Sequence, residues 1–138
     1  MTWSDQRVSL AHGSLHQPEQ FHYIVNLAQA ELSLKQQQTP VAFVGHTHVP
    51  GIFTEQQGKV SFFRRLAVNV ERGVKYLVNV GSVGQPRDRD PRAAYCLYDS
   101  DAGSIEIRRV DYPVPRAQEK IRRAGLPAFL AERLEMGY

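Results

Sequence analysis

His46 and His48 stand two residues apart, directly after the apolar run Val41-Ala42-Phe43-Val44 and Gly45. In an extended chain, residues two apart point to the same side. A strand that ends in His-x-His can therefore aim two imidazoles at one small charged object. Neutral imidazole nitrogens suit a divalent metal ion, or a pair of them. A His-x-His pair alone is weak ground, because five histidines in 138 residues readily produce one and many such pairs are only hydrogen-bonded turns. A third histidine in the same kind of position adds weight. Val8-Ser9-Leu10-Ala11 is a short apolar run that leads into His12-Gly13-Ser14. If the two runs are neighbouring strands of a parallel sheet, their carboxyl ends bring His12, His46 and His48 together. That is the edge at which open α/β sheets hold their ligands.

A second stretch, Asn79-Val80-Gly81-Ser82-Val83-Gly84-Gln85-Pro86-Arg87-Asp88, is rich in small residues. Gly81 and Gly84 allow backbone conformations and close approaches that a side chain would block. The loop could pack under a metal site or present amides to an anion, and Arg87 could meet a phosphate with its bidentate fork. The plainer alternative is a structural turn in which Arg87 pairs with Asp88 or Asp90. His16 and His22 read as surface or helix-start residues rather than ligands.

These residues need elements to position them. Residues 8–11 read as a strand and 12–18 as a loop. The pattern predicts a helix over 19–37, with Phe21, Ile24, Val25, Leu27, Ala28, Leu32 and Leu34 as its apolar stripe. Pro18 suits its start and Pro40 stops its continuation. Strand, helix, strand is a parallel crossover. After His48 the character changes to short strands over 49–53, 60–63, 66–70, 76–80, 94–99 and 104–110, which without intervening helices implies an antiparallel sheet. Residues 55–59 and 101–103 read as hairpin turns. Ile105 and Ile107 alternate with Glu106 and Arg108, so that strand has one wet face. The tail turns helical over 116–124, with Ala117, Ile121 and Ala124 on one face. A further helix opens at Pro127, with Phe129, Leu130 and Leu134 inward and Gly137 as a stop. The expected class is mixed α/β in a single domain over residues 1–138, with a parallel β-α-β start, antiparallel strands and a helical tail.

Composition narrows the function. An apolar fraction of 42% and a charged fraction of 22% are ordinary for a soluble domain. The net charge of +3 fits a phosphate-bearing substrate and is too small to argue for nucleic acid. Arg64-Arg65, Arg108-Arg109 and Arg122-Arg123 read as solvated faces. The single cysteine, Cys96, excludes a disulfide framework, agrees with a cytoplasmic location and reads as a small buried hydrophobe. Met1-Thr2-Trp3-Ser4-Asp5 has no signal-peptide character, and no apolar run approaches a membrane span.

Phe43-Val44-Gly45-His46-Thr47-His48-Val49-Pro50, with His12-Gly13-Ser14 upstream and residues 79–87 downstream, resembles the calcineurin-like metallophosphoesterases, in particular bacterial members of the protein-phosphatase and diadenosine-tetraphosphatase branch. The resemblance runs down to Gly125-Leu126-Pro127. It implies half of a metallophosphoesterase β-sandwich with flanking helices. It also implies a dinuclear centre of two divalent ions (Mn, Fe, Zn or Ni), with His12 and His46 on one ion and His48 on the other. A hydroxide bridging the ions would attack phosphorus in line, making this a phosphatase or phosphodiesterase with a phosphate-containing substrate and Arg87 as a substrate-binding residue. Gly13 and Gly45 would allow tight turns, and Thr47 would point away from the ions. The sequence departs from the family pattern in two respects. Leu15 and His16 follow His-Gly-Ser, where the family often has proline. The Asp-x-His, Gly-Asp and Gly-Asn-His motifs that complete the family's ligand set do not occur, and only eleven residues precede His12. The chain is therefore expected to be the carboxy-terminal half of the domain: a truncated form, a split product or a remnant. Its expected partner is the missing amino-terminal half or a second copy, as a homo-oligomer. The competing expectation is a non-catalytic module that acts in oligomeric assembly.

Overall fold

The computed structural model describes residues 2–4 and 7–138. Met1 and Asp5, part of the stretch read as lacking a signal peptide, lie outside the described residues. The strands are β1 (Thr2–Ser4), β2 (Val8–Ala11), β3 (Val41–Val44), β4 (Gly51–Gln56), β5 (Lys59–Phe63), β6 (Ala67–Asn69), β7 (Lys75–Asn79), β8 (Ala93–Asp99) and β9 (Ser104–Val110). The helices are α1 (Leu27–Gln36), α2 (Val114–Arg123) and α3 (Ala128–Met136). One sheet has the order β1-β2-β3-β7-β4-β5 and the other β6-β9-β8. The class is mixed α/β, with parallel and antiparallel pairs in the larger sheet.

The period of two along each strand divides the core into two layers. Ala42, Val44, Phe53 and Leu77 turn to one side and pack with Ile24, Ala30 and Leu34 of the α1 region. Val41, Ile52, Tyr76 and Val78 turn to the other and pack with Ile105 and Ile107 of the smaller sheet. Cys96 is half-buried against this second layer, and burial pushes its thiol up to about 11. β2 and β3 run parallel with Leu10 opposite Phe43, as the crossover reading requires. Ile105 and Ile107 are buried while Arg108 is exposed, so β9 has its wet face.

The strand over 76–80 departs from the expected antiparallel run. β7 lies between β3 and β4, parallel to the first and antiparallel to the second. The β4–β5 hairpin folds back outside it. Burial on both faces, with Leu77 and Val78 each 0% exposed, explains why this segment is continuously apolar rather than alternating.

The helix expected over 19–37 is shorter. Pro18–Gln20 forms one 3-10 turn, Phe21 takes a left-handed conformation (φ 51°), and α1 starts only after Asn26. Asn26 caps α1 by accepting from the Gln29 N–H, which fixes the start there. At the other end, Lys75 donates from Nζ to the Leu34 and Gln37 carbonyls. Val25, Leu27 and Leu32 of the expected apolar stripe are exposed.

In the tail, Ala131 and Leu134 point inward and Phe129 is exposed. The inward pair is three residues apart, and Phe129 falls on the opposite side of that stripe. Ala124 is likewise exposed. The buried residue of α2 is Gln118, which donates to the Ala131 carbonyl and ties α2 to α3. Among the described residues no helix is long and apolar enough to cross a membrane.

Candidate functional site

β2 and β3 end side by side, and the chain leaves both at the same sheet edge. The Gly45 N–H donates to the His12 carbonyl at 3.0 Å, which holds the two strand exits together. The His-x-His stretch is not extended, contrary to the geometry expected from its spacing. β3 ends at Val44, and His46 (φ 66°) and His48 (φ 62°) are both left-handed. Such angles in residues with side chains are uncommon, cost about 1–3 kcal/mol each, and gather at functional sites. Both imidazoles reach the groove through this turn rather than through strand alternation.

The turn is held from below by Asn79, which is 2% exposed. Its Nδ2 donates to the Gly45 carbonyl and to Thr47 Oγ1, both at 2.8 Å. Its Oδ1 accepts from the Gly81 N–H at 3.0 Å. Thr47 is buried and points away from the groove. Asn79 opens the small-residue stretch that the sequence marks as able to pack under a metal site, but that stretch gives it no role of its own.

His12, His46 and His48 line one groove, together with Gly45, Ser82 and Val83. His12 Nε2 and His46 Nδ1 are 2.9 Å apart. His48 Nδ1 donates to the Gln85 carbonyl at 2.8 Å, which leaves its Nε2 as a lone pair aimed elsewhere. Burial lowers the pKa of both His46 and His48, and neighbouring positive charges lower them further: His12, His48 and Arg87 for the first, Arg87, His12 and Arg133 for the second. The Gln85 bond opposes this at His48. Lowering both values favours the neutral imidazole, the form that binds a metal.

The segment that left the expected helix covers this cluster. Tyr23 stacks on His46 with centroids 4.2 Å apart and planes at 12°. Phe21 meets His12 edge-on at 5.7 Å. A Cβ at Gly13 would stand 2.8 Å from the His22 carbonyl oxygen, so the absence of a side chain at residue 13 lets this segment cross so closely. Gly81 has φ 79°, and a Cβ there would collide with Ala94. Gly45 and Gly84 meet no such constraint.

Arg87 lies at the same edge. Its N–H donates to the His48 carbonyl, and its guanidinium grips Gln85 Oε1 through both Nε and Nη2. The alternative pairing with Asp88 or Asp90 does not occur. Asp88 pairs with Arg109, and Asp90 takes a two-pronged bond from Arg92. His16 and His22 stack on each other, 6.4 Å apart, and neither lines the groove that holds the other three histidines.

Among the described residues, no group of three or more His, Cys, Asp or Glu side chains is arranged to hold a metal ion as it stands. His12 and His46 share a hydrogen bond instead. Two nitrogens bound at about 2.0–2.1 Å to one tetrahedral ion stand roughly 3.3 Å apart, so a small opening of the 2.9 Å contact would seat one. The donors fit the imidazole share of a metal centre. They do not make a dinuclear centre, because no carboxylate is among them to bridge two ions and offset their charge.

A sequence profile of the calcineurin-like phosphoesterase superfamily domain matches residues 1–103. An uncharacterized protein of Methanocaldococcus jannaschii is 42% identical over 95 residues, which cover 69% of this chain and 38% of that protein. A metallophosphoesterase from Sphaerobacter thermophilus superposes with a TM-score of 0.86 at 35% identity, over 99% of this chain and 57% of its own. A hypothetical protein of Pyrococcus horikoshii shares the fold alone, with a TM-score of 0.68 at 16% identity over 100% of this chain and 50% of its own. The chain thus spans roughly 40% to 60% of the length of these relatives. The α2–α3 tail lies beyond the matched profile. On the matched profile, and on a fold shared with a metallophosphoesterase, the chain belongs to the calcineurin-like phosphoesterase superfamily, whose members generally use divalent metals.

Proposed function

We propose that this chain contributes the imidazole side of a divalent-metal centre that hydrolyses phosphoesters. The convergence of His12, His46 and His48 on one groove at the ends of two parallel strands carries this reading. His12 and His46 would hold one ion, and His48, with its Nε2 freed by the bond to Gln85, would serve its neighbour. A divalent ion supplies Lewis-acid stabilisation of charge on the phosphoryl oxygens. Arg87, already aligned by Gln85, would orient the phosphate through its guanidinium fork. The hydrolysis consumes one water and yields a phosphate and an alcohol. The carboxylate ligands would come from outside these residues, from further polypeptide or from a second copy.

The test is manganese binding by calorimetry together with release of nitrophenol from an aryl phosphate. His48→Ala is expected to weaken binding of the ion by roughly tenfold or more, the range seen when the ligand environment of a metal is damaged. Binding and turnover indifferent to His48→Ala would refute the reading.

One observation favours a second reading, an assembly module without turnover. Leu10, Phe43, Val80, Val83 and Tyr95 line an apolar hollow, with Leu10 and Val83 exposed. Apolar surface of this kind is usually covered by a partner. A clean monomer in sedimentation would count against it.

A further inference from the structure

Residues 21–23 cross the imidazole cluster on a path that local preference does not supply. Phe21 holds a left-handed backbone (φ 51°), which residues with side chains avoid. The segment passes so close to Gly13 that a Cβ there would stand 2.8 Å from the His22 carbonyl oxygen. Core packing does not explain the crossing. Phe21 and Tyr23 are each 44% exposed, and of residues 21–25 only Ile24 belongs to the core.

What the crossing brings about is contact with two imidazoles. Tyr23 lies parallel to His46, with centroids 4.2 Å apart and planes at 12°. Phe21 meets His12 edge-on at 5.7 Å and stands tilted against His46 at 6.3 Å. His46 is thus held on a face by Tyr23 and flanked by Phe21 and His12. In this orientation His46 Nδ1 meets His12 Nε2 at 2.9 Å. The χ2 torsion of histidine is broad and roughly two-fold, so nothing within the side chain itself fixes which nitrogen faces His12. The stack supplies that constraint. Seating an ion needs the two nitrogens to part to roughly 3.3 Å, and a ring that slides within a parallel stack keeps its aim as it moves.

We propose that Tyr23 is a positioning residue for the metal centre, whose ring face fixes the plane of His46 so that Nδ1 is presented to an ion beside His12. The proposal rests on the metal-dependent reading above and adds a residue that touches neither ion nor substrate. The stack also favours the loaded state. An imidazole bound to a divalent ion carries part of its positive charge, and positive charge over a phenol face is attracted to it.

The test is cobalt binding, followed by the visible absorption of the ion, whose shape reports ligand geometry. Tyr23→Phe keeps the ring face and should match the parent in affinity and spectrum. Tyr23→Leu keeps apolar bulk without the face and should bind cobalt about fivefold more weakly, with an altered spectrum. Val25→Ser alters the same segment at a side chain that is 67% exposed and should change neither. Three results overturn the proposal and leave the metal reading standing. The first is a Tyr23→Leu protein equal to the parent in both readouts. The second is a Tyr23→Phe protein as weak as Tyr23→Leu, since the hydroxyl would then be what matters. The third is a loss in Val25→Ser as large as in Tyr23→Leu. A further measurement needs no variant: cross-relaxation between the Tyr23 and His46 ring protons should persist in the zinc-loaded parent, and its disappearance on adding zinc also overturns the proposal. A parent that binds no cobalt, or binds it no better than His46→Ala does, removes the metal reading itself and the proposal with it.

Discussion

His46 and His48 hold backbone angles that side-chain-bearing residues avoid, and three hydrogen bonds from Asn79 keep that turn and the next one in place. Removing the amide would leave the Gly45 carbonyl, the Thr47 hydroxyl and the Gly81 N–H to find other partners in a buried setting. Each such loss costs on the order of 1 kcal/mol or more. Asn79→Ala is therefore expected to lower the stability measured by urea unfolding by about 2–4 kcal/mol. It should also weaken metal binding, although Asn79 touches no metal in the proposed arrangement. An Asn79→Ala protein that binds manganese as tightly as the parent would show that the turn does not depend on this residue. The histidines were legible in the sequence because His and Gly follow two apolar runs. The part Asn79 plays in that turn was not, because its three partners are the backbone and side chain of a segment more than thirty residues away and one N–H beyond its own strand.

At the scale of elements, the crossover and most strands follow from local pattern. The exceptions have local causes that the pattern hides. Residues 21–25 carry apolar side chains at helical spacing, yet Phe21 and Tyr23 are spent on His12 and His46 and only Ile24 reaches the core. The β4–β5 connection, read as a loop over five residues, is a tighter turn on Gln57 (φ 51°) and Gly58 (φ 79°), the pair of left-handed residues that a two-residue hairpin needs. Glutamine is a poor occupant of that position, where asparagine is favoured. Gln57→Asn is expected to raise the thermal midpoint, with a gain of about 0.5–1 kcal/mol. A midpoint unchanged or lowered would mean that Gln57 makes a contribution beyond its backbone angle.

At the scale of the whole molecule, a chain of charges ties the smaller sheet to the site loop and the tail. Arg109 on β9 pairs with Asp88, Arg92 grips Asp90, and the Arg89 N–H donates to the Gly137 carbonyl after α3. The bonds from Arg92, assisted by the charge of Arg109, hold the Asp90 carboxyl down to about 2. Its folded pKa is below the ordinary carboxylate value near 3.9, so the ionised form favours the fold. This stability is fully present above about pH 4 and is lost as the pH falls through 2. Asp90 is partly open to solvent, so screening limits the effect to about 1 kcal/mol. Asp90→Asn should be less stable than the parent by that amount at pH 7, and the gap should shrink as the pH falls from 4 to 2, as read from denaturant midpoints. A gap that does not shrink between pH 4 and pH 2 would mean the residue acts through packing or neutral hydrogen bonds instead.

Taken alone, the chain's order of residues determined what repeats locally: strands where apolar residues alternate or run together, turns at glycine, and histidines at two strand exits. Those signals lie within a few residues of one another, so they need no knowledge of what else is near. Only the tertiary structure decided that β7 would slip between β3 and β4, that the His-x-His stretch would turn left-handed, and that residues 21–23 would leave the helix to lie over the imidazoles. Each of these depends on partners far along the chain. A buried strand looks the same whichever neighbours it takes, and an aromatic at helical spacing looks the same whether it faces a core or a histidine.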